Sequence, residues 1–220
     1  MLQFSVHGLP NVDAAARRAV AQRTRLGRLK MLLVWAVCAA PVVASYLSYY
    51  VWQPQGRTNH GTLILPARPL PPRDALRLTR LDGQVVPPDA LRGQWLLVSV
   101  APGRCDAACE RQLYLQRQLR EILGKDKERL DRVWLITDQA SPASALLPGL
   151  AQSWVLRVDP AELARWLQPE AGQALSAHLY LVDPRGDWMM RFSPHADPAG
   201  IKKDLLRLMK ANESWDEPGR

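Results

Sequence analysis

From Met31 to Gly56 the chain carries no charged residue, and Met31 to Leu47 is almost wholly apolar. About 20 apolar residues are what a helix needs to cross a hydrocarbon core, where every backbone N–H and C=O must be satisfied inside the segment. Trp35 stands near one end, and Tyr46, Tyr49, Tyr50 and Trp52 gather at the other, where amphipathic rings meet the headgroups. Residues 31–52 are therefore expected to span a membrane as one helix, with Pro41 a candidate kink and Cys38 a small apolar filler. Arg17, Arg18, Arg23, Arg25, Arg28 and Lys30 precede the span, opposed only by Asp13. Such an excess keeps its own side in the cytoplasm, so residues 1–30 read as a cytoplasmic basic arm. Everything beyond the span is then exported, to the periplasm if the membrane is a bacterial inner membrane. The rival reading is a cleaved signal peptide with Val42-Val43-Ala44 before the cut, and it exports the remainder equally.

The same charges dispose of another function class. The net charge of +8 invites a nucleic-acid reading, but the arm supplies most of it and the rest is scattered over a near-neutral domain. That is no basic groove, and no nucleic-acid partner is expected. Nucleotide-binding, zinc and hydrolase motifs are absent; Gly103 alone is no phosphate loop.

Export also changes what cysteines mean. In an oxidising compartment a thiol pair is a disulfide, a redox couple kept reduced by a partner, or a soft-metal site. Cys38 lies in the span, which leaves Cys105 and Cys109 at the end of Trp95-Leu-Leu-Val-Ser-Val-Ala-Pro-Gly-Arg-Cys105-Asp-Ala-Ala-Cys109. An apolar run passes through a Pro-Gly turn into a helix-like segment, and unpaired backbone N–H groups collect at such junctions. If both cysteines lie in the first helical turn, they share a face. Two soft thiolates so placed suit Cu(I), and they can also close to a disulfide or exchange with one. The helix start and Arg104 would favour the thiolate. An inert disulfide fastening the first turn remains open beside these.

The rest of the exported part supplies a frame. Residues 53–74 are rich in Pro and Gly and read as a linker with one short strand at Thr62–Leu65. Residues 75–212 read as one domain, and 213–220 as a polar tail. Asp82-Gly83 predicts a hairpin turn between 75–81 and Gln84–Val86. Trp95–Val100 has the continuous apolar character of a central strand. A helix is expected over 106–123, with Ala108, Leu115, Leu119 and Ile122 as its apolar stripe and the cysteines on its flank, neither of them buried outright. Val133–Thr137 is a second apolar strand, completing a right-handed βαβ unit. A brief strand at 154–158, a helix opened by Asp159-Pro160, a hairpin around Asp183-Pro184-Arg185-Gly186 and a last helix from Asp197-Pro198 follow. That last helix carries Ile201, Leu205, Leu206 and Met209 as its stripe.

The order strand, helix, strand, helix, hairpin, helix is the plan of a thioredoxin-like α/β domain. Three features make the resemblance more specific: the lead-in Asp82-Gly83 … Leu91-Arg-Gly-Gln-Trp95-Leu-Leu-Val, the C-x3-C pair, and Tyr180-Leu-Val-Asp-Pro-Arg-Gly186. With the single anchor, the exported part from Leu76 to Lys210 resembles the Sco family. That resemblance implies a central mixed sheet flanked by helices, tethered by one transmembrane helix. It implies assistance to assembly of the binuclear copper centre of cytochrome c oxidase, as an assembly factor rather than a turnover enzyme. Its partners would be an oxidase subunit or other assembly factors, and its cargo Cu(I). Cys105 and Cys109 would be both redox pair and metal ligands. The family's third ligand is a histidine five residues ahead of the strand tyrosine; here that position is Leu175, which cannot ligate. His178, two residues ahead of Tyr180, is the nearest stand-in, with His195 and His60 further removed. Glu110 also follows the second cysteine where the family commonly has proline. Two alternatives accompany this reading: a non-enzymatic assembly or scaffold protein with a degenerate metal site, and a thiol–disulfide oxidoreductase independent of copper.

Overall fold

The computed structural model describes residues 14–50 and 59–212, so the expectations for 1–13, 51–58 (Trp52 among them) and 213–220 lie outside the described residues. The chain divides into two compact units, residues 1–57 and 58–220. In the first, one helix α1 (Ala14–Tyr50) runs without interruption through Pro41, and Tyr46 stacks on Tyr50 with ring centroids 5.2 Å apart. Arg23–Ser48 within it is long and apolar enough to cross a membrane. Its described side chains from Arg23 onward are exposed almost throughout, which in water would be an uncovered hydrophobic surface and in lipid is none.

The second unit is built on an eight-stranded sheet in the order β1-β8-β7-β4-β5-β6-β2-β3. The strands are β1 (Thr62–Pro69), β2 (Leu78–Arg80), β3 (Val85–Val86), β4 (Trp95–Ala101), β5 (Leu130–Ile136), β6 (Ser153–Arg157), β7 (Leu179–Val182) and β8 (Asp187–Phe192). Helices α2 (Ala107–Ile122), α3 (Pro160–Trp166) and α4 (Pro198–Ala211) cover it. Strands β4, β5 and β6 are parallel, β4 and β5 in continuous register from Trp95↔Leu130 to Ala101↔Ile136. Strand β7 runs antiparallel to β4, and the hairpin carries the sheet on through β8 to β1. The segment after the membrane was expected to hold a strand only at Thr62–Leu65. It pairs with β8 as far as Pro69 instead, because the register shifts between Leu63 and Arg68 and the ladder resumes.

Strand β4 is buried at all seven positions, the burial its continuous apolar run predicts. Its alternating side chains divide the core. Leu96, Val98 and Val100 face Leu163 and Trp166 of α3, while Trp95 and Leu97 face Leu119 of α2 and Ile201, Leu205 and Met209 of α4. In α4 the expected stripe is buried except Leu206, which stays 38% exposed.

Helix α2 departs from its expected stripe. Its buried residues are Cys109, Leu113, Gln116, Leu119 and Arg120, and Ile122 is largely exposed. The face turned to the sheet includes two polar side chains that periodicity assigns to solvent. Gln116 Nε2 donates to the carbonyls of Leu97 and Val133 at 2.7 and 3.1 Å. Arg120 Nε donates to Leu130 O, and its guanidinium reaches Glu128 at 2.8 Å. Burial is tolerated because each group is hydrogen-bonded where it lies.

Candidate functional site: a cysteine pair at the carboxyl edge of the sheet

The parallel strands β4 and β5 end side by side, and loops leaving the carboxyl ends of such strands are where open α/β sheets place their chemistry. The loop after β4 carries Pro102 to Asp106. Asp138, just past β5, clamps it: Asp138 Oδ1 accepts from Gly103 N at 2.8 Å and from Ala140 N at 3.2 Å. Arg157 Nη1 holds the other side by donating to the carbonyls of Asp138 and Ala140 at 2.8 and 3.0 Å. Gly103 is required by space, since a Cβ there would overlap Ala140 O. Cys105 N then donates to Gly103 O at 3.0 Å, closing a tight turn that delivers the first cysteine to the helix start.

Helix α2 begins two residues later than the shared-face expectation required. Asp106 is the N-cap, and its carboxylate accepts from Ala108 N and Cys109 N at 3.1 and 2.9 Å. Cys105 therefore lies outside the helix, and Cys109 is the third residue within it. The two cysteines do not occupy one helical turn; the cap residue lies between them and takes the N–H groups that a thiolate would have used. They are nonetheless joined as a disulfide, with Cα atoms 5.3 Å apart. The expectation that neither is buried outright holds for Cys105, which is half-buried, and fails for Cys109, which is 5% exposed. Cys109 sinks because it continues down the face of α2 to Leu113, packing with Trp134, Ile136 and Leu150.

His178 is placed elsewhere in the chemistry. It is fully buried just ahead of β7, and both ring nitrogens have backbone partners. Nε2 accepts from Glu170 N at 3.1 Å, and Nδ1 lies 3.2 Å from Phe192 O. An acceptor Nε2 fixes the neutral tautomer with its proton on Nδ1, donated to that carbonyl. Burial pushes the imidazole pKa below its ordinary value, so the ring stays neutral. No lone pair is left for a metal. Tyr180 braces the same loop: its hydroxyl donates to Leu175 O at 2.9 Å, and burial keeps it protonated. Gln112 on α2 holds the loop from the other side, donating to Ser176 O at 2.9 Å. His195 lies exposed in the turn after β8, and the backbone N–H groups of His60 and Gly61 are taken by Asp204 at 2.7 and 2.9 Å. Among the described residues no group of three or more His, Cys, Asp or Glu side chains is arranged to hold a metal ion. The donors present are two sulfurs, which do not make a site of two cysteines and a histidine.

Residues 95–212 match the family described as transmembrane-like, thioredoxin-like, C-terminal domain, which is more than half of the chain. The chain belongs to that family. No curated protein matches the sequence. Among solved structures, copper-bound yeast Sco1 is 15% identical over 66% of this chain and 94% of its own, with a TM-score of 0.51. A second yeast Sco1 structure is 17% identical over 67% and 97%, also at 0.51. Copper-bound ScoI from Bradyrhizobium japonicum is 20% identical over 60% and 96%, with a TM-score of 0.44. At such identities the likeness is one of fold. The yeast structures place this member of the family in the Sco-type thioredoxin-like architecture, a mixed sheet with helices on both faces.

Sequence reasoning missed three residues that shape the site. Asp106 carried a legible signal, an N-cap residue just before a helical pattern. Asp138 was visible only as the end of a strand, because its partner Gly103 is 35 residues away. Gln116 had no signal at all.

Proposed function

We propose that the chain is a membrane-tethered, Sco-like assembly factor that exchanges thiols and disulfides with a client at the outer face of the membrane. Cys105 and Cys109 are its redox pair, and the client is a cytochrome c oxidase subunit or a factor that prepares one. The observation that carries this reading is the unequal pair itself, one half-buried sulfur presented by a clamped turn and one 5% exposed sulfur behind it. In thiol–disulfide exchange the accessible sulfur forms the mixed disulfide and the sheltered one resolves it. The reduced pair gives two electrons and two protons to a client disulfide and closes to its own; a dithiol donor on the same side of the membrane restores it. The N-terminal arm is cytoplasmic in this reading, and the domain periplasmic, at a bacterial inner membrane.

Relatives with copper bound favour Cu(I) as a second cargo. The residues present offer it two thiolates, and no step through copper is derived.

The test uses the full chain in mild detergent beside Cys105→Ser and Cys109→Ser. The wild type should equilibrate with a glutathione buffer as a single two-electron couple, and cells carrying either variant should lose assembled oxidase. Retention of full oxidase activity by both variants would sink the reading and leave a scaffold. An anaerobic Cu(I) titration against a competing chelator separates the cargoes. One-to-one binding lost in both variants would add copper delivery, and binding no tighter than in the variants would leave thiol exchange alone.

A further inference from the structure

Two clefts flank α2. One, of about 730 Å3, lies between Ala108, Gln112 and Leu115 and the loops that carry Glu170, Ser176 and His195. The other, of about 350 Å3, lies between Leu113, Tyr114 and Arg117 and the turn formed by Leu146, Pro148 and Leu150. The second is lined by Leu113, Leu146 and Leu150, which pack with the disulfide. Cys109, Leu113 and Leu150 form one buried cluster, and Cys105 and Leu146 pack against it. Large apolar side chains stay uncovered at its border, with Tyr114 64% and Leu147 48% exposed.

The charge around this groove is unbalanced. Arg132, on β5, is only 6% exposed, and it donates to the carbonyls of Gly149 and Ala151 at 3.1 and 2.7 Å. Its Nε is buried without a hydrogen-bond partner in the described residues, as are Trp134 Nε1 and Ser153 Oγ on the same face of β5 and β6. Neither Arg132 nor Arg117 at the rim belongs to any of the ion pairs among the described residues. A buried guanidinium that feels Arg117 and Arg120 as well as Glu121, and closes an ion pair with none of the described acids, leaves a positive potential that an arriving acid would offset. Among the described residues the one acid lining the groove, Glu110, is beside Cys109. Negative charge is thus attracted near Arg117, while around the sulfurs Asp106 and Glu110 are offset by Arg104 and Arg111.

We propose that this groove docks the client, and that its occupant is an extended, apolar segment bearing the reactive cysteine and an acidic residue. The proposal rests on the thiol-exchange reading and names the partner of that site. The spacing follows from helix geometry. Cys109 and Arg117 are eight residues apart on α2, about 12 Å at 1.5 Å per residue, and the attacking Cys105 is bonded to Cys109 with Cα atoms 5.3 Å apart, so the span from the client cysteine is of the same order. An extended client covers that distance in about four residues at 3.3 Å each. The acid therefore belongs about four positions from the client cysteine.

The probe is a pair of synthetic peptides in which leucines flank one cysteine activated as its mixed disulfide with thionitrobenzoate. One peptide has Asp four residues away on both sides, and the other has Lys there. The reduced full chain in mild detergent attacks through the Cys105 thiolate, the peptide–thionitrobenzoate S–S bond breaks, and its electron pair leaves on thionitrobenzoate, which is followed by absorbance. The Cys109 thiolate then attacks Cys105 Sγ, closing the protein disulfide and releasing the peptide thiolate. The Asp peptide is expected to react about tenfold faster than the Lys peptide at low salt. Arg117→Glu should abolish or invert that ratio, and Leu147→Ser should slow both peptides. Arg111→Glu, in the larger cleft, should leave the ratio alone. A ratio near one in the wild type, a ratio that survives Arg117→Glu, or one that collapses with Arg111→Glu overturns the proposal. The mercaptoethanol–thionitrobenzoate mixed disulfide separates the two levels. No reaction with it sinks thiol exchange and docking together, whereas reaction with it and no discrimination between peptides sinks docking alone.

Discussion

Replacing His178 by alanine should unsettle the fold and leave the cysteine chemistry where it is. The imidazole is fully buried and satisfies two backbone groups, the N–H of Glu170 and the carbonyl of Phe192. Each backbone group left unpaired in the interior costs about 1–3 kcal/mol, and the volume of the missing ring adds a cavity. The expected loss is about 3–5 kcal/mol, a large share of the 5–15 kcal/mol that holds a domain together. His178→Gln, whose amide offers one donor and one acceptor, should recover about half of it. The assay is urea unfolding of the full chain in mild detergent, followed by tryptophan fluorescence. Acid provides a second signature. Burial lowers the folded pKa of His178 below 6.5, helped by Arg191 and opposed by the Phe192 carbonyl and Glu170. As pH falls below 6.5 the unfolded chain binds a proton that the folded chain refuses, so stability drops until the folded pKa is reached. The slope from this group approaches about 1.4 kcal/mol per pH unit. Above 6.5 His178 contributes no pH dependence. In His178→Gln the corresponding part of the acid slope should vanish. A loss below about 1 kcal/mol, or an acid slope unchanged in the glutamine variant, would refute the reasoning. So would a tenfold fall in Cu(I) affinity at unchanged stability, which would make His178 a ligand after all.

Two further outcomes concern the loop that carries Cys105. Asp106→Asn keeps a good N-cap and removes a carboxylate that disfavours thiolates beside it, so the reduced form gains. The reduction potential should rise by on the order of 10–20 mV in a glutathione equilibrium, and a fall would contradict this assignment. Gly103→Ala drives a Cβ into Ala140 O, which neither backbone can yield cheaply. It should cost about 1–3 kcal/mol in urea unfolding and speed reduction of the disulfide by a small dithiol; an unchanged reduction rate would mean that the clamp does not set the presentation of Cys105.

The frame of this protein was legible wherever one residue pattern sufficed. Trp95–Val100 read as an interior strand from its length and continuous apolar run, and the turn signals at Asp82-Gly83 and Asp183-Pro-Arg-Gly186 placed the hairpins. Asp159-Pro160 and Asp197-Pro198 opened two helices, and both aspartates do accept from the first-turn N–H groups. The buried face of α2 was not legible, because Gln116 and Arg120 are drawn inward by carbonyls of β4 and β5, the strands on either side of α2 in the chain, and periodicity counts only apolar residues. The site was half legible. A cysteine pair at a strand–helix junction and the Asp106 cap between its members can be read from sequence, but which thiol faces solvent cannot, because that depends on the Asp138 clamp and on the packing of Cys109 against Trp134 and Leu150.

That the helix starts only after Cys105 also bears on the proposal that the pair exchanges thiols rather than holding a metal on a shared face. Two ligands in one turn of a helix present equivalent sulfurs to an ion from the same side. Here Asp106 ends the loop and begins the helix, so Cys105 takes its direction from the Asp138 clamp and Cys109 takes its own from α2. One sulfur is fixed by a loop and remains accessible, while the other is fixed by packing against Leu113 and Trp134 and is withdrawn. Exchange needs such a division, since the attacking sulfur must reach a partner and the resolving sulfur must not compete for it. The histidine that would have completed a metal site is meanwhile committed to Glu170 N and Phe192 O, where it secures the loop beside α2. The geometry of the cysteines and the occupation of His178 therefore both support the exchange proposed for this chain, and they do so through independent contacts.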